Sequence, residues 1–262
     1  MRVEEITNFL EEYAPLRYQE SYDNCGLIVG DYTAEVNSIL ITLDCTEEVL
    51  NEAISKECNL IIAHHPIIFN GIKKLNGSNY IERVIIKAIK YDIAIYSMHT
   101  NLDNVHNGVS ARIADRLLLE DCKVLSPNSS FPDQKVGLGI IGKLKDVVSS
   151  HQFLEDIKSN MQTNLIRHTA LVKKEIKYVA VCGGSGSSLL MEAKQAGADI
   201  FISSDFKYHD FFEADNDIII ADIGHYESEQ FTKDLIYDLL VKKFVKFAVR
   251  LSKINTNPIK YL

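Results

Sequence analysis

The 262-residue chain has no surplus of basic residues, no paired cysteines and no long apolar run. Lysine and arginine total 28 against 36 aspartates and glutamates, a net charge of −8. Phosphate backbones and anionic membrane surfaces are held by basic surfaces, so neither a nucleic acid nor a membrane is an expected partner. No apolar stretch approaches the roughly 20 residues that a membrane-spanning helix needs. The opening Met1-Arg2-Val3-Glu4-Glu5-Ile6 is acidic and amphipathic, without the apolar core of a secretory signal. The cysteines (Cys25, Cys45, Cys58, Cys122 and Cys182) are scattered, with no Cys-x-x-Cys. That fits free thiols in a reducing cytoplasm, the expected location. Cys45, Cys58 and Cys182 lie in or beside apolar runs and are expected to pack the core. Neither a serine nucleophile elbow nor a Walker lysine motif occurs. Gly137 to Gly142 spells Gly-x-Gly-x-x-Gly, but no strand precedes it and no helix opens within it, so dinucleotide binding is not expected.

What is present is the composition of a globular protein, 46% apolar and 24% charged. Its length suffices for one large domain or two ordinary ones. The most informative stretch is Asn59-Leu60-Ile61-Ile62-Ala63-His64-His65-Pro66. The uninterrupted apolar run reads as a strand buried on both faces, and Pro66 cannot donate to a continuing ladder. Two imidazoles at the end of such a strand require partners. Because side chains alternate along a strand, His64 and His65 are expected to diverge and to serve two centres.

Apolar spacing predicts helices over 3–13, Glu47–Glu57, Tyr80–Lys90, Val109–Leu118, His151–Met161, Leu189–Ala196 and from Gly224 to about Lys243. Strands are predicted at Ser38–Leu43, Leu60–Ala63, Tyr91–Ser97, Lys135–Leu144, Ile176–Cys182, Asp199–Ser203, Ile218–Ile223 and Lys246–Ile254. The polar stretch Asp121–Gln134 reads as a linker. It divides the chain into a first α/β lobe, 1–126, and a second, 127–262, with strand 246–254 packing back on the first. The lysines near that last strand read as a solvated edge guarding against strand pairing. Gly183 to Ser188 reads as a tight turn between strand and helix, with anion binding as the alternative.

The two halves repeat one another. Glu52-Ala53 leads into Leu60-Ile61-Ile62-Ala63, which ends in His64-His65. Glu192-Ala193 leads into Ile200-Phe201-Ile202-Ser203, which ends in Ser204-Asp205. A further strand in each half is followed by a histidine and an acid four apart, His99 with Asp103 and His225 with Glu229. Alternating strands and helices imply mixed, mostly parallel sheets with the chemistry at strand carboxyl ends, in a cleft between the lobes. A histidine and an acid at i and i+4 share one helix face, which serves either a metal ion or a surface ion pair. His64, His65, Asp103, His225 and Glu229 are too many donors for one tetrahedral ion with an open position. Two ions bridged by a carboxylate, about 3.5–4 Å apart, accommodate them. Imidazole and carboxylate suit zinc, iron, manganese or nickel alike.

Tyr22-Asp23-Asn24-Cys25-Gly26-Leu27, Ala63-His64-His65-Pro66, His99-Thr100-Asn101-Leu102-Asp103 and Gly224-His225-Tyr226-x-Ser228-Glu229 resemble, in order, the Nif-three-like dinuclear metal centre family. Its bacterial members are commonly called GTP cyclohydrolase I type 2 homologues. The resemblance spans nearly the whole chain. It implies His64, Asp103 and Glu229 on one ion, and His65, His225 and Glu229 on the second, the ions being zinc or iron, with manganese as a further option. It also implies a compact two-lobed subunit, a homohexamer and a nucleotide substrate. The family pattern departs here at Tyr22, where tryptophan is usual, at Ser203-Ser204-Asp205, where Thr-Gly-Asp is typical, and at Ser228, where threonine is. No departure removes a ligand. His99 is not a family ligand and is expected to orient groups or carry protons as a catalytic residue. His209 is either a similar residue or a surface histidine. The implied activity is ring opening of GTP by metal-activated water. The alternatives are a non-catalytic metal-holding, regulatory or cofactor-chaperone assembly, and a nucleotide phosphoesterase.

Overall fold

The computed structural model describes residues 1–132 and 135–262. In chain order the elements are α1 (Val3–Tyr13), β1 (Gly26–Val29), β2 (Ser38–Thr42), α2 (Glu47–Ser55), β3 (Leu60–Ala63), α3 (Tyr80–Lys90), β4 (Ala94–Ser97), α4 (Thr100–Asp103) and α5 (Val109–Arg116). There follow β5 (Glu120–Pro127), β6 (Gly137–Ser149), α6 (Ser150–Met161), β7 (Arg167–His168), β8 (Glu175–Ser185) and α7 (Leu190–Gln195). The chain ends with β9 (Ile200–Ser204), β10 (Ile219–Asp222), α8 (His225–Glu229), α9 (Thr232–Lys243) and β11 (Ala248–Leu251). They form two compact units. The first contains Met1–Leu102 and Thr232–Lys260, the second Asp103–Phe231 and Tyr261–Leu262.

In the first unit the strand order is β1-β4-β3-β2-β11, with only β1 antiparallel to its neighbour. Every residue of β2, β3 and β4 is buried, as their unbroken apolar runs require when helices cover both faces of a parallel sheet. Helices α2 and α3 begin at side-chain caps, where Thr46 accepts from the Val49 amide and Asn79 from the Glu82 amide. Their apolar stripes close one core with β3 through Val49, Leu50, Ile61, Val84 and Ile85. Strand β11 forms the edge beside β2, and its outward residues are exposed.

The second unit orders its strands β5-β6-β8-β9-β10-β7, parallel at β8–β9 and β9–β10 and antiparallel elsewhere. Its core joins Phe153, Ile157, Val179, Ile200 and Ile219 on one side of the sheet, and Phe201, Leu190 and Ile220 contribute to another cluster. Both sheets are mixed, and the repeat is visible in them. Order and direction agree between β1-β4-β3-β2 and β7-β10-β9-β8.

The element assignment read from the sequence differs from the structure in several places. The first half of the expected linker, 121–127, lies in strand β5, paired antiparallel with β6; its polar residues are the exposed side of an edge strand. Asp133 and Gln134, the last residues of that expected linker, lie outside the described residues. Consequently the division at 126/127 falls within β5, and the compact units exchange at Asp103 and Thr232 instead. Gly183 to Ser185 do not turn, because β8 continues through them. The expected helix from Gly224 to Lys243 is broken into α8 and α9.

The buried parallel strands set the stability of the first unit. Ile61→Ala, at a fully buried position in β3, is expected to cost about 2–5 kcal/mol through lost burial and a cavity. Val245→Ala, on the surface, should stay within about 0.5 kcal/mol. Urea midpoints of the two variants at constant slope check the contrast.

Candidate metal centre

In the first unit, β3 ends at Ala63 and the chain turns, with the His64 amide bonded to the Thr42 and Leu43 carbonyls and that of His65 to Leu43. Strand alternation therefore stops before the histidines, and the expected divergence does not occur. Their rings lie 4.9 Å apart, and each lies 5.3 Å from the ring of His99. One ligand atom from each of His64, His65 and His99 lies within 4.8 Å of the others.

What diverges is their anchoring. His64 Nδ1 meets the Met98 carbonyl, which follows β4, at 2.6 Å, and His65 Nδ1 meets Asp44 Oδ1, which follows β2, at 2.8 Å. His99 Nδ1 meets Asp23 Oδ1, just before β1, at 2.8 Å. Carbonyl and carboxylate oxygens only accept, so each Nδ1 carries a proton, and in the neutral ring Nε2 holds the lone pair. This is the usual support of a metal-binding histidine, whose outer nitrogen is held by an oxygen acceptor. Asp23 is itself enclosed, with no side-chain exposure. Its oxygens also accept from the Asn24 and Thr100 amides, the Thr100 hydroxyl and the Cys25 thiol. Burial pushes its carboxyl up, but the hydrogen bonds from His99 and Thr100 outweigh this and hold it well below the usual range. Burial and the neighbouring Asp23 push the Cys25 thiol up to about 12, so it stays protonated at neutral pH.

In the second unit, α8 places His225 and Glu229 one turn apart, with Nε2 and Oε2 at 3.1 Å. His225 Nδ1 lies 2.7 Å from Asp205 Oδ2. Burial pulls the imidazolium down, but hydrogen bonds to Asp205 and Glu229 outweigh it and push it up to about 11. An ion taking Nε2 must displace that proton. Asp205 adopts φ 60°, in the left-handed region, directly after β9. Such a conformation is uncommon outside glycine and aims this carboxylate at the imidazole. Glu229 is buried and packed against β8: a Cβ on Gly184 would lie 2.3 Å from its Oε1. Asp103 opens the second unit, and its charge and that of Glu229 both reach Cys182, whose thiol burial already pushes up to about 12. His209 lies on the surface against Tyr208 and Phe212.

The donor chemistry fits divalent ions of the zinc or iron kind. Three imidazoles have their metal-binding nitrogens set by fixed tautomers, and a fourth is flanked by two carboxylates. The Duf34/NIF3 (NGG1p interacting factor 3) family model matches residues 1–258. The chain belongs to the NIF3 family. A "GTP cyclohydrolase 1 type 2 homolog" of Clostridium acetobutylicum is 34% identical over 232 residues, 87% of this chain and 85% of that protein. A protein of the same name from Campylobacter jejuni is 33% identical over 262 residues, the whole of both chains. Among solved structures, Staphylococcus aureus protein SA1388 superposes with a TM-score of 0.91 at 30% identity, over 100% of this chain and 99% of that one.

For this NIF3 chain, the sequence reading missed the roles of Asp44, Asp23 and Gly184. The first two could have been flagged as acids flanking apolar strands on the rim that carries the histidines. Gly184 carries no such signal, since its role depends on where Glu229 lies. Among the described residues no helix is long and apolar enough to cross a membrane.

Two substitutions test this support. Gly184→Ala should displace Glu229 and lower the metal content of purified protein. Gly197→Ala, with a similar φ of +76° but open space around it, should leave metal content unchanged and isolate the backbone cost of about 1–2 kcal/mol. Asp23→Asn should cost roughly 1–3 kcal/mol near neutral pH. A depressed carboxyl stabilises above its unfolded value, 3.8, and loses that contribution as pH falls through the folded value. The gap between wild type and Asp23→Asn should therefore be flat above about pH 5 and shrink below about pH 4, read from denaturant midpoints across pH.

Proposed function

We propose that this NIF3 chain is a hydrolase that opens the guanine ring of GTP with two divalent ions, one held by His64, Asp103 and Glu229 and the other by His65, His225 and Glu229. The observation that carries the reading is the orientation of the imidazoles. His64 and His65 each have Nδ1 committed to an oxygen acceptor on a different neighbouring strand end, which makes Nε2 the atom that would meet an ion. The shared name of the Clostridium and Campylobacter relatives supports the choice of substrate.

When bound, the ions would supply Lewis acidity and lower the pKa of a coordinated water toward about 7. The chain's own residues do the rest. Asp44 holds the His65 ring, and Asp205 holds that of His225. Glu229, buried beside Gly184 with Oε2 3.1 Å from His225 Nε2, would give its carboxylate to both ions. His99, its Nδ1 proton fixed by Asp23, accepts a proton at Nε2 and returns it to the ring nitrogen of the opening substrate. A homohexamer is the expected assembly, and native mass spectrometry reads it directly.

The test is GTP turnover by protein loaded in turn with zinc, iron and manganese, alongside metal analysis of protein purified without chelator. Two ions per chain and ring opening with at least one metal are expected, both lost in His65→Ala. His99→Gln should keep both ions and lower kcat by roughly 10²–10⁴-fold. Absence of ring opening with all three metals would sink the substrate assignment.

A further inference from the structure

We infer that the second unit carries a binding cleft for a nucleoside monophosphate, with the base lying on Tyr208 and Phe212 and the phosphate on Arg167. None of these residues belongs to the metal centre, and the inference depends neither on the ions nor on GTP as a substrate.

The cleft encloses about 420 Å³ and is lined by Arg167, His168, Thr169, Tyr208, Phe211 and Phe212. Small-molecule sites occupy roughly 300–1,000 Å³. Two neighbouring strand ends build it. One wall, Tyr208 to Phe212, follows β9. The other, Arg167 and His168, is β7, paired with Asp222 and Ala221 at the carboxyl end of β10. Ligands of open α/β sheets collect on that rim.

The aromatic wall is held from within. Phe206 is buried, its ring 6.0 Å from that of Phe201 and 5.6 Å from that of Phe211. Asp210 Oδ2 accepts from the Lys207 amide at 2.8 Å, and the Phe212 amide donates to the His209 carbonyl at 3.1 Å. So braced, the loop presents Tyr208 and Phe212 at 73% and 65% exposure, with ring centroids 5.4 Å apart. Aromatic faces held open to solvent are platforms on which a base of any identity can stack.

The guanidinium is oriented as firmly. Arg167 Nη2 donates to the Phe206 carbonyl at 2.9 Å and to Asp222 Oδ2, and its Cζ stands 5.4 Å from the centre of the Phe211 ring. Asp222 is buried, and the same oxygen accepts from the Phe206 amide. With Nη2 committed, the Nε and Nη1 donors of the fork have no partner among the described residues. Such a planar fork matches the oxygens of a phosphate. Asp222 offsets part of the arginine's charge, so a bare anion gains little here. An uncharged ring, in turn, leaves the fork unused. A ligand that joins a flat base to a phosphate engages both.

Isothermal titration calorimetry of the metal-free full chain with AMP tests this. A single saturable site per chain is expected, with adenosine and ribose 5-phosphate each at least about fivefold weaker than AMP. Tyr208→Ala and Phe212→Ala, at exposed positions that spare the core, should each weaken AMP at least about fivefold. Tyr91→Ala, which removes a 54% exposed aromatic of the first unit, should leave affinity unchanged. Arg167→Lys, which keeps the charge but not the fork, should erase the preference for AMP over adenosine, with thermal melting confirming that each variant folds. Absence of saturable binding at millimolar AMP, adenosine or ribose 5-phosphate binding as tightly as AMP, or unchanged affinity in either aromatic variant would each overturn the inference. The protein is free of metal and AMP lacks the guanine ring that the proposed hydrolase opens, so failure here leaves that reading standing, and failure of GTP turnover leaves this one.

Discussion

A neutral imidazole offers a lone pair from one nitrogen only while the other keeps its proton, and in a protein that choice is made by whatever stands behind the ring. Here the oxygens behind the rings belong to Met98, Asp44, Asp23 and Asp205. Each sits at or beside the end of a strand, so the sheets that bury the core also fix the proton positions. The dependence runs one way. Without the register of β2, β3 and β4, neither Asp44 nor Met98 would flank the histidines that leave β3.

The two units apply one strand order to different donors. Where the central strand of the first unit ends in His64-His65, its counterpart ends in Ser204-Asp205. The first unit thus gathers imidazoles whose supporting oxygens, a carbonyl and two carboxylates, lie behind the rings. The second gathers acids around a single imidazole, which in the metal-free protein keeps an extra proton. The nitrogen-rich set presents imidazoles already anchored at Nδ1, and the acid-rich set supplies negative charge.

Much of this was legible in the chain before folding was considered. Unbroken runs such as Ile39-Leu40-Ile41 and Leu60-Ile61-Ile62-Ala63 announce strands buried on both faces, and the repeated histidine–acid spacing announces the rim. The illegible parts share a physical cause. Glu120–Pro127 has the composition of a loop because only one side of an edge strand is covered. His64 and His65 converge because the backbone bends one residue after β3 ends, and alternation says nothing beyond a strand's last residue. Gly184 and Asp23 act through neighbours remote in sequence, Glu229 in one case and His99 in the other.

The C-terminal segment of the first unit has an effect beyond lengthening a sheet. Ser252 and Lys253 bond to Glu52, and the Thr256 hydroxyl donates to Asp44 Oδ2 at 2.5 Å, on the carboxylate whose other oxygen holds His65. During synthesis, His64, His65 and His99 leave the ribosome long before Thr256 does. The nascent chain therefore presents these histidines well before it acquires the hydrogen bond from Thr256 to the carboxylate behind His65. Until then, the carboxylate behind His65 lacks one of its hydrogen bonds.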